Sequence, residues 1–151
     1  MEHHLPAQER RTALLRDAGF VVVAANYSFN GPSPEAAWRP VISGDAVPTV
    51  RVSHESASAD HEREVDRSWE SVAEEFGVFG EGGDFLISVA GEGMGSLPWA
   101  HVRRGRNLSP ARHLVDYPGE PEFVTMSMDG RAVCGVTTEE YDIWIIGATL
   151  A

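Results

Sequence analysis

Phe123-Val124-Thr125-Met126-Ser127-Met128, then Asp129-Gly130, then Arg131-Ala132-Val133-Cys134-Gly135-Val136 is the stretch that decides the fold class. Two apolar, β-branched runs flank Asp-Gly, the strongest short hairpin signal, because a type I′ turn wants φ > 0 at both central positions. After the polar break Thr137-Thr138-Glu139-Glu140 comes Tyr141-Asp142-Ile143-Trp144-Ile145-Ile146, aromatic and β-branched enough for a buried strand. The C-terminal stretch therefore reads as a three-stranded antiparallel unit with an apolar side that the preceding chain has to cover.

Working outward, the clearest covering element runs from Asp60 to Phe76. Val65, Trp69, Val72, Ala73 and Phe76 form an apolar stripe at helical spacing, and Glu62, Glu64, Asp66, Glu70, Glu74 and Glu75 fill the other side. Gly77-Val78 then repeats the stop found at Gly19-Phe20, a left-handed glycine followed by an apolar contact. Gly19 closes a first helix over Ala7 to Ala18, behind a frayed start at residues 1–6. Strands are expected at Phe20 to Ala25, at Val47 to Ser53 on an edge because of Pro48, and at Phe85 to Ala90 in the centre. Ser33-Pro34-Glu35 opens a single helical turn that Pro40 ends, with Trp38 as a lid over one edge of the core. Gly91 to Gly105 reads as a long loop, and Ser109-Pro110 as the N-cap of a short helix reaching Asp116.

The expected fold is α+β, one domain over residues 1–151. Its sheet is mixed or mostly antiparallel, of about five to six strands, with one long amphipathic helix and two shorter ones. Trp69 and Trp144 are its leading core pair.

Composition removes several function classes. All twelve basic residues are arginine, so chemistry that needs a lysine, such as a Schiff base or a P-loop, is closed to this chain. Cys134 is the only cysteine, which excludes an intrachain disulfide and a cysteine zinc finger. No apolar run reaches the ~20 residues of a membrane helix. Met1-Glu2-His3-His4 lacks the build of a signal peptide, so a cytoplasmic address is expected. The net charge of −11 opposes nucleic acid as a general partner.

That charge is unevenly spread. Residues 54–92 carry −9, residues 93–115 carry +4 and residues 116–151 carry −6. The +4 block is an arginine island, His101, Arg103, Arg104, Arg106 and Arg112, next to the Ser109-Pro110 helix start. Arginine forks and free backbone N–H groups suit a carboxylate or phosphate. The competing role for these arginines is pairing with the protein's own acids.

Other motifs stop short of a mechanism. Gly91-Glu92-Gly93-Met94-Gly95 misses the dinucleotide fingerprint by one residue, and Pro98 stands where its helix would run. His54-Glu55 and Asp60-His61-Glu62 offer metal-binding side chains without a metal-binding spacing. Cys134 sits mid-strand as a core thiol. No catalytic residues, metal ligands or cofactors are assigned.

Three function classes follow. The first is a small binding protein of the bacterial immunity or inhibitor type. Its acidic surface, Glu62, Asp66, Glu70, Glu74, Glu139, Glu140 and Asp142, would meet a basic protein such as a toxin or nuclease. The second is an anion- or phosphoryl-ligand domain using the 91–112 loop and the arginine island. The third is a homo-oligomer, a dimer for example, whose edge strands pair.

Overall fold

A computed structural model describes residues 5–54 and 58–150, and residues 1–4 of the expected frayed start lie outside the described residues. Helix α1 (Ala7–Asp17) leads into strand β1 (Phe20–Ala24), followed by α2 (Pro34–Ile42), β2 (Val50–Ser53), α3 (Ser58–Phe76) and β3 (Asp84–Val89). Then come β4 (Ala100–Arg104), α4 (Pro110–His113), β5 (Val115–Tyr117), β6 (Glu120–Pro121), β7 (Phe123–Met126), β8 (Ala132–Thr138) and β9 (Asp142–Thr149). The architecture is α+β. Seven strands form one sheet in the order β1-β4-β3-β7-β8-β9-β2, every neighbouring pair antiparallel, and β5-β6 make a small separate hairpin.

The C-terminal meander is present as β7, β8 and β9, side by side. Its turn differs from type I′: at the Asp-Gly pair only Gly130 has positive φ, 76°. The Asp129 carboxylate accepts hydrogen bonds from the Ser127 hydroxyl at 2.5 Å and the Arg131 N–H at 3.0 Å. Those bonds favour a longer loop with a single left-handed residue.

Two layers of side chains cover the sheet. On one face Phe20, Val52, Phe85, Ile87, Val102, Phe123, Val136 and Ile145 pack under α1, α3 and α4. Trp69 of α3 sits at the centre, edge-on to Phe20, Phe79 and Phe123 with ring centroids 5.6–5.9 Å apart. On the other face Leu86, Val124, Met126, Val133 and Ile146 lie with α2 and Trp99. Trp144 belongs to this second layer and is partly exposed. It therefore does not pair with Trp69: residues at odd and even positions of one strand go to opposite faces, and Ile143 and Ile145 took the Trp69 side. Trp38, expected as a lid, is tied into this layer by its indole N–H, which donates to the Ser88 hydroxyl at 2.9 Å.

Pro40 does not end its helix. Helix α2 continues to Ile42 with Pro40 inside, and the turn is held by Val41, which is buried against Gly135. Both expected glycine stops are present, with φ of 97° at Gly19 and 82° at Gly77. Gly19 is further fixed by space: a Cβ there would come within 2.9 Å of the Asn107 carbonyl. Among the described residues no helix is long and apolar enough to cross a membrane.

Candidate functional site

Strand alternation takes the arginine island apart. Residues 100–104 form β4, between β1 and β3, where a loop was expected. Ala100 and Val102 point into the Trp69 layer, and so does Arg104. Arg104 lies 3.4 Å from Glu70 of α3, and its guanidinium sits 3.9 Å above the Phe79 ring. His101 and Arg103 emerge on the opposite face around Asp84. The Arg103 Nε donates to this carboxylate at 2.6 Å and His101 Nε2 lies 2.7 Å from it. The Arg103 hydrogen bond, supported by His101, holds the Asp84 carboxyl below its usual range. Arg106 is exposed on the loop after β4, and Arg112 is exposed on α4 beside Glu62, Arg63 and Asp66. His101 and Arg103 thus share Asp84 on one face, Arg104 lies on the other, Arg106 and Arg112 stand on later segments, and two of the arginines already hold carboxylates of the chain.

The 91–99 segment is stapled down. Arg10 donates to the Glu92 carbonyl at 2.6 Å, Arg11 to the Pro98 carbonyl at 2.7 Å, and Met94 and Trp99 are buried. Arg11 is wholly buried and also donates to the Ala25 carbonyl at 2.5 Å.

The acids behave differently. Two turns meet at the end of the sheet where β8 gives way to β9. The first is the β5-β6 hairpin, closed by Pro118-Gly119 with Gly119 at φ 83°, the pair a type II turn calls for. The second is the Glu139–Tyr141 turn, where the Glu139 N–H donates to the Asp142 carbonyl at 2.8 Å. Thr138 joins them, its hydroxyl donating to the Pro121 carbonyl at 3.0 Å. His54 ties β2 to the same turn, with ring Nε2 2.9 Å from the Glu139 carbonyl.

Asp116, Glu120 and Glu139 are consequently close enough to act on Glu122. Burial pushes the Glu122 carboxyl upward, and the charges of Asp116, Glu139 and Glu120 add to the rise against the Thr138 N–H. Glu140 is exposed in the same turn, and Glu62 borders the hairpin across a small cavity of about 30 Å³ shared with Gly119 and Pro121. Tyr117 and Tyr141 stand in these two turns, 67% and 78% exposed.

Other acids of the expected face have different neighbours. Asp66 turns inward and its carboxylate accepts the Ala111 N–H at 2.8 Å, capping α4 in place of Ser109, whose side chain makes no cap bond. Burial raises the Asp66 carboxyl to about 6, with Glu62 and Glu70 adding to the rise against the Ala111 bond. Glu70 holds Arg104, Asp142 accepts the Trp144 indole N–H at 2.7 Å, and Glu74 is exposed on α3. Glu62, Glu139 and Glu140 are the expected residues that the acidic end gathers.

Sequence reasoning passed over Asp116, Tyr117, Glu120 and Glu122. Their signal was present: Asp116-Tyr117-Pro118-Gly119-Glu120-Pro121-Glu122 puts three acids around a Pro-Gly turn. Burial pushes the Cys134 thiol up, as suits a core residue. Among the described residues no cluster of three or more metal-binding side chains occurs.

Comparison with known proteins finds no matching family model, and no curated protein or solved structure that matches the chain. The α+β fold and the geometry of this end carry the functional reading.

Proposed function

We propose that this chain is a small binding protein of the immunity or inhibitor type that docks a basic protein partner on its acidic end. One observation carries the reading: Asp116, Glu120, Glu122, Glu139 and Glu140, from two distant segments, share one end of the sheet with two exposed tyrosines. Converging like charges cost folding energy, so an arrangement that keeps them suits a surface selected for contact. They would steer a cationic partner and reject an acidic one. Tyr117 and Tyr141 supply what the acids lack, a rigid apolar area with a polar tip, the residue type that anchors interfaces.

The test is affinity capture from the native host followed by binding measurements on the purified partner. The expected partner is basic, and its affinity falls steeply with salt. It is lost in Glu139→Arg/Glu140→Arg and reduced at least about 100-fold in Tyr117→Ala/Tyr141→Ala, as two anchor residues warrant. A partner bound equally by either variant rules this surface out.

A second reading has its own observation. Edge strand β1 has no charged residue and exposes Val21 and Val23, 52% and 45% accessible. Such an edge favours pairing with a second copy. Sedimentation decides it: a dimer that Val23→Lys converts to monomer supports self-pairing.

A further inference from the structure

Helix α2 and the segment that follows β3 leave a groove between them on the second face of the sheet. Its volume is about 470 Å³, a size suited to a small ligand. The floor and walls are apolar, from Trp38, Ile42, Val89 and Ala90. Glu35 and Glu122 also line it, and among the described residues no arginine or histidine does. Glu35 already has a neighbour, Arg39, at 3.4 Å on an exposed stretch of α2. Glu122 is half-buried, its carboxylate accepts the Thr138 N–H, and the charges acting on it are those of the acids Asp116, Glu139 and Glu120. The aromatic wall is fixed in place by the Trp38 to Ser88 hydrogen bond, and Ser88 is buried.

The geometry points to a binding site for a small organic cation with an apolar body, an arylalkyl ammonium in chemical class, seated against Trp38 and Ala90 with its charge beside Glu122. An anion is repelled from both ends of the groove. A neutral apolar molecule fits the walls and leaves the half-buried Glu122 charge, which the Thr138 N–H bonds but does not neutralise, without a counter-charge. Only a cation supplies the missing charge, and the indole adds its own attraction for one. This site does not depend on the partner-docking reading, although Glu122 stands at the border of both surfaces.

The experiment is a titration of the purified chain with benzyltrimethylammonium, with benzyl alcohol and phenylacetate as neutral and anionic controls. The readout is the Trp38 indole N–H resonance, assigned with Trp38→Phe, while the Trp69 and Trp99 resonances report on the fold. The expected result is saturable binding of the cation with Kd of order millimolar, as a molecule this small allows. Benzyl alcohol binds at least about tenfold more weakly, and phenylacetate does not shift the resonance. Glu122→Gln weakens the cation about tenfold and leaves benzyl alcohol unchanged, the effect of one charge near a partly buried partner. Tyr117→Ala/Tyr141→Ala binds the cation as the wild type does, so loss of partner docking and loss of the groove are told apart. Equal binding of cation and alcohol, unchanged affinity in Glu122→Gln, or no saturable shift overturns the site.

Discussion

Arg103, Arg104, Arg106 and Arg112 are near neighbours in sequence and end on different surfaces, whereas Asp116, Glu120 and Glu122 of one hairpin meet Glu139 of another turn. The pleat of β4 sends successive side chains to opposite faces, so a run of like residues on a strand is divided by construction. Turns do the reverse, because an antiparallel sheet brings its connections to two ends. The divided cations find partners within the chain, Asp84 and Glu70, while the gathered anions repel one another and add to the rise that burial imposes on Glu122. A block of charge in sequence is therefore a poor guide to a charged surface, and the turns that close the strands are a better one.

The contrast is sharpest at Arg11, a cation turned wholly inward. Burial lowers its guanidinium to about 10, so it stays charged at neutral pH, yet its described partners are two carbonyl oxygens and its Nε has none. Those bonds fasten α1 to the Ala25 and Pro98 segments, which border the second core layer. Arg11→Ala leaves both carbonyls unsatisfied and opens a cavity, for an expected loss of about 3 kcal/mol in urea unfolding. Arg11→Lys, which cannot reach both carbonyls with one planar fork, recovers only part of it. A loss under about 1 kcal/mol for Arg11→Ala would mean that the inward cation is tolerated and holds nothing together.

Arg11 also marks what the sequence conceals. Its helix was readable from the Gly19 stop, but nothing in Arg10-Arg11 tells which arginine the sheet will cover. The C-terminal meander, the long helix and the central strand at Phe85 were legible because each carries its own period. Strand β4 was not, since glycines lie on both sides of it and Arg103-Arg104 breaks the alternation begun at Ala100. Its one signal, Ala100 and Val102 spaced by two, was outweighed by the turn residues around it. The acidic end was half legible: Glu139 and Glu140 were visible as a cluster, but their meeting with the Pro118-Gly119 hairpin is a fact of topology. Trp144 was misplaced for the complementary reason, since a strand buried on both sides does not announce which residues share a face with Trp69.

Asp66 crosses from one side of the comparison to the other, an acid turned inward to cap α4. Its folded carboxyl, raised to about 6, binds a proton more tightly than its unfolded counterpart near 3.8. Protonation therefore favours the folded chain, and this group adds stability as pH falls from 7 towards 4. Asp66→Asn keeps an acceptor for the Ala111 N–H and removes the titration. The difference in unfolding free energy between variant and wild type should shrink by about 2 kcal/mol over that range, with the variant ahead at pH 7. The lowered carboxyls of Asp84 and Asp129 act with the opposite sign, losing stability only as pH falls through their depressed values, below about 4. A difference that is flat between pH 7 and 4 would return Asp66 to the solvated surface.

The smallest effect separates the two regions most cleanly, because it has the opposite sign. If Glu120 and Glu139 repel Glu122 and one another, then Glu120→Gln/Glu139→Gln relieves a cost instead of removing a bond. Its Tm should rise by about 1–2 °C at low salt, and the gain should vanish near 1 M salt, where the screening length is about 3 Å. The same variant should bind the basic partner about tenfold more weakly at low salt. A substitution that stabilises the fold while weakening association is the behaviour of a surface maintained for contact. A fall in Tm would show these carboxylates to be structural, held by bonds like those that hold Asp84 to Arg103. A rise in Tm with undiminished partner affinity would move the docking surface elsewhere on the chain.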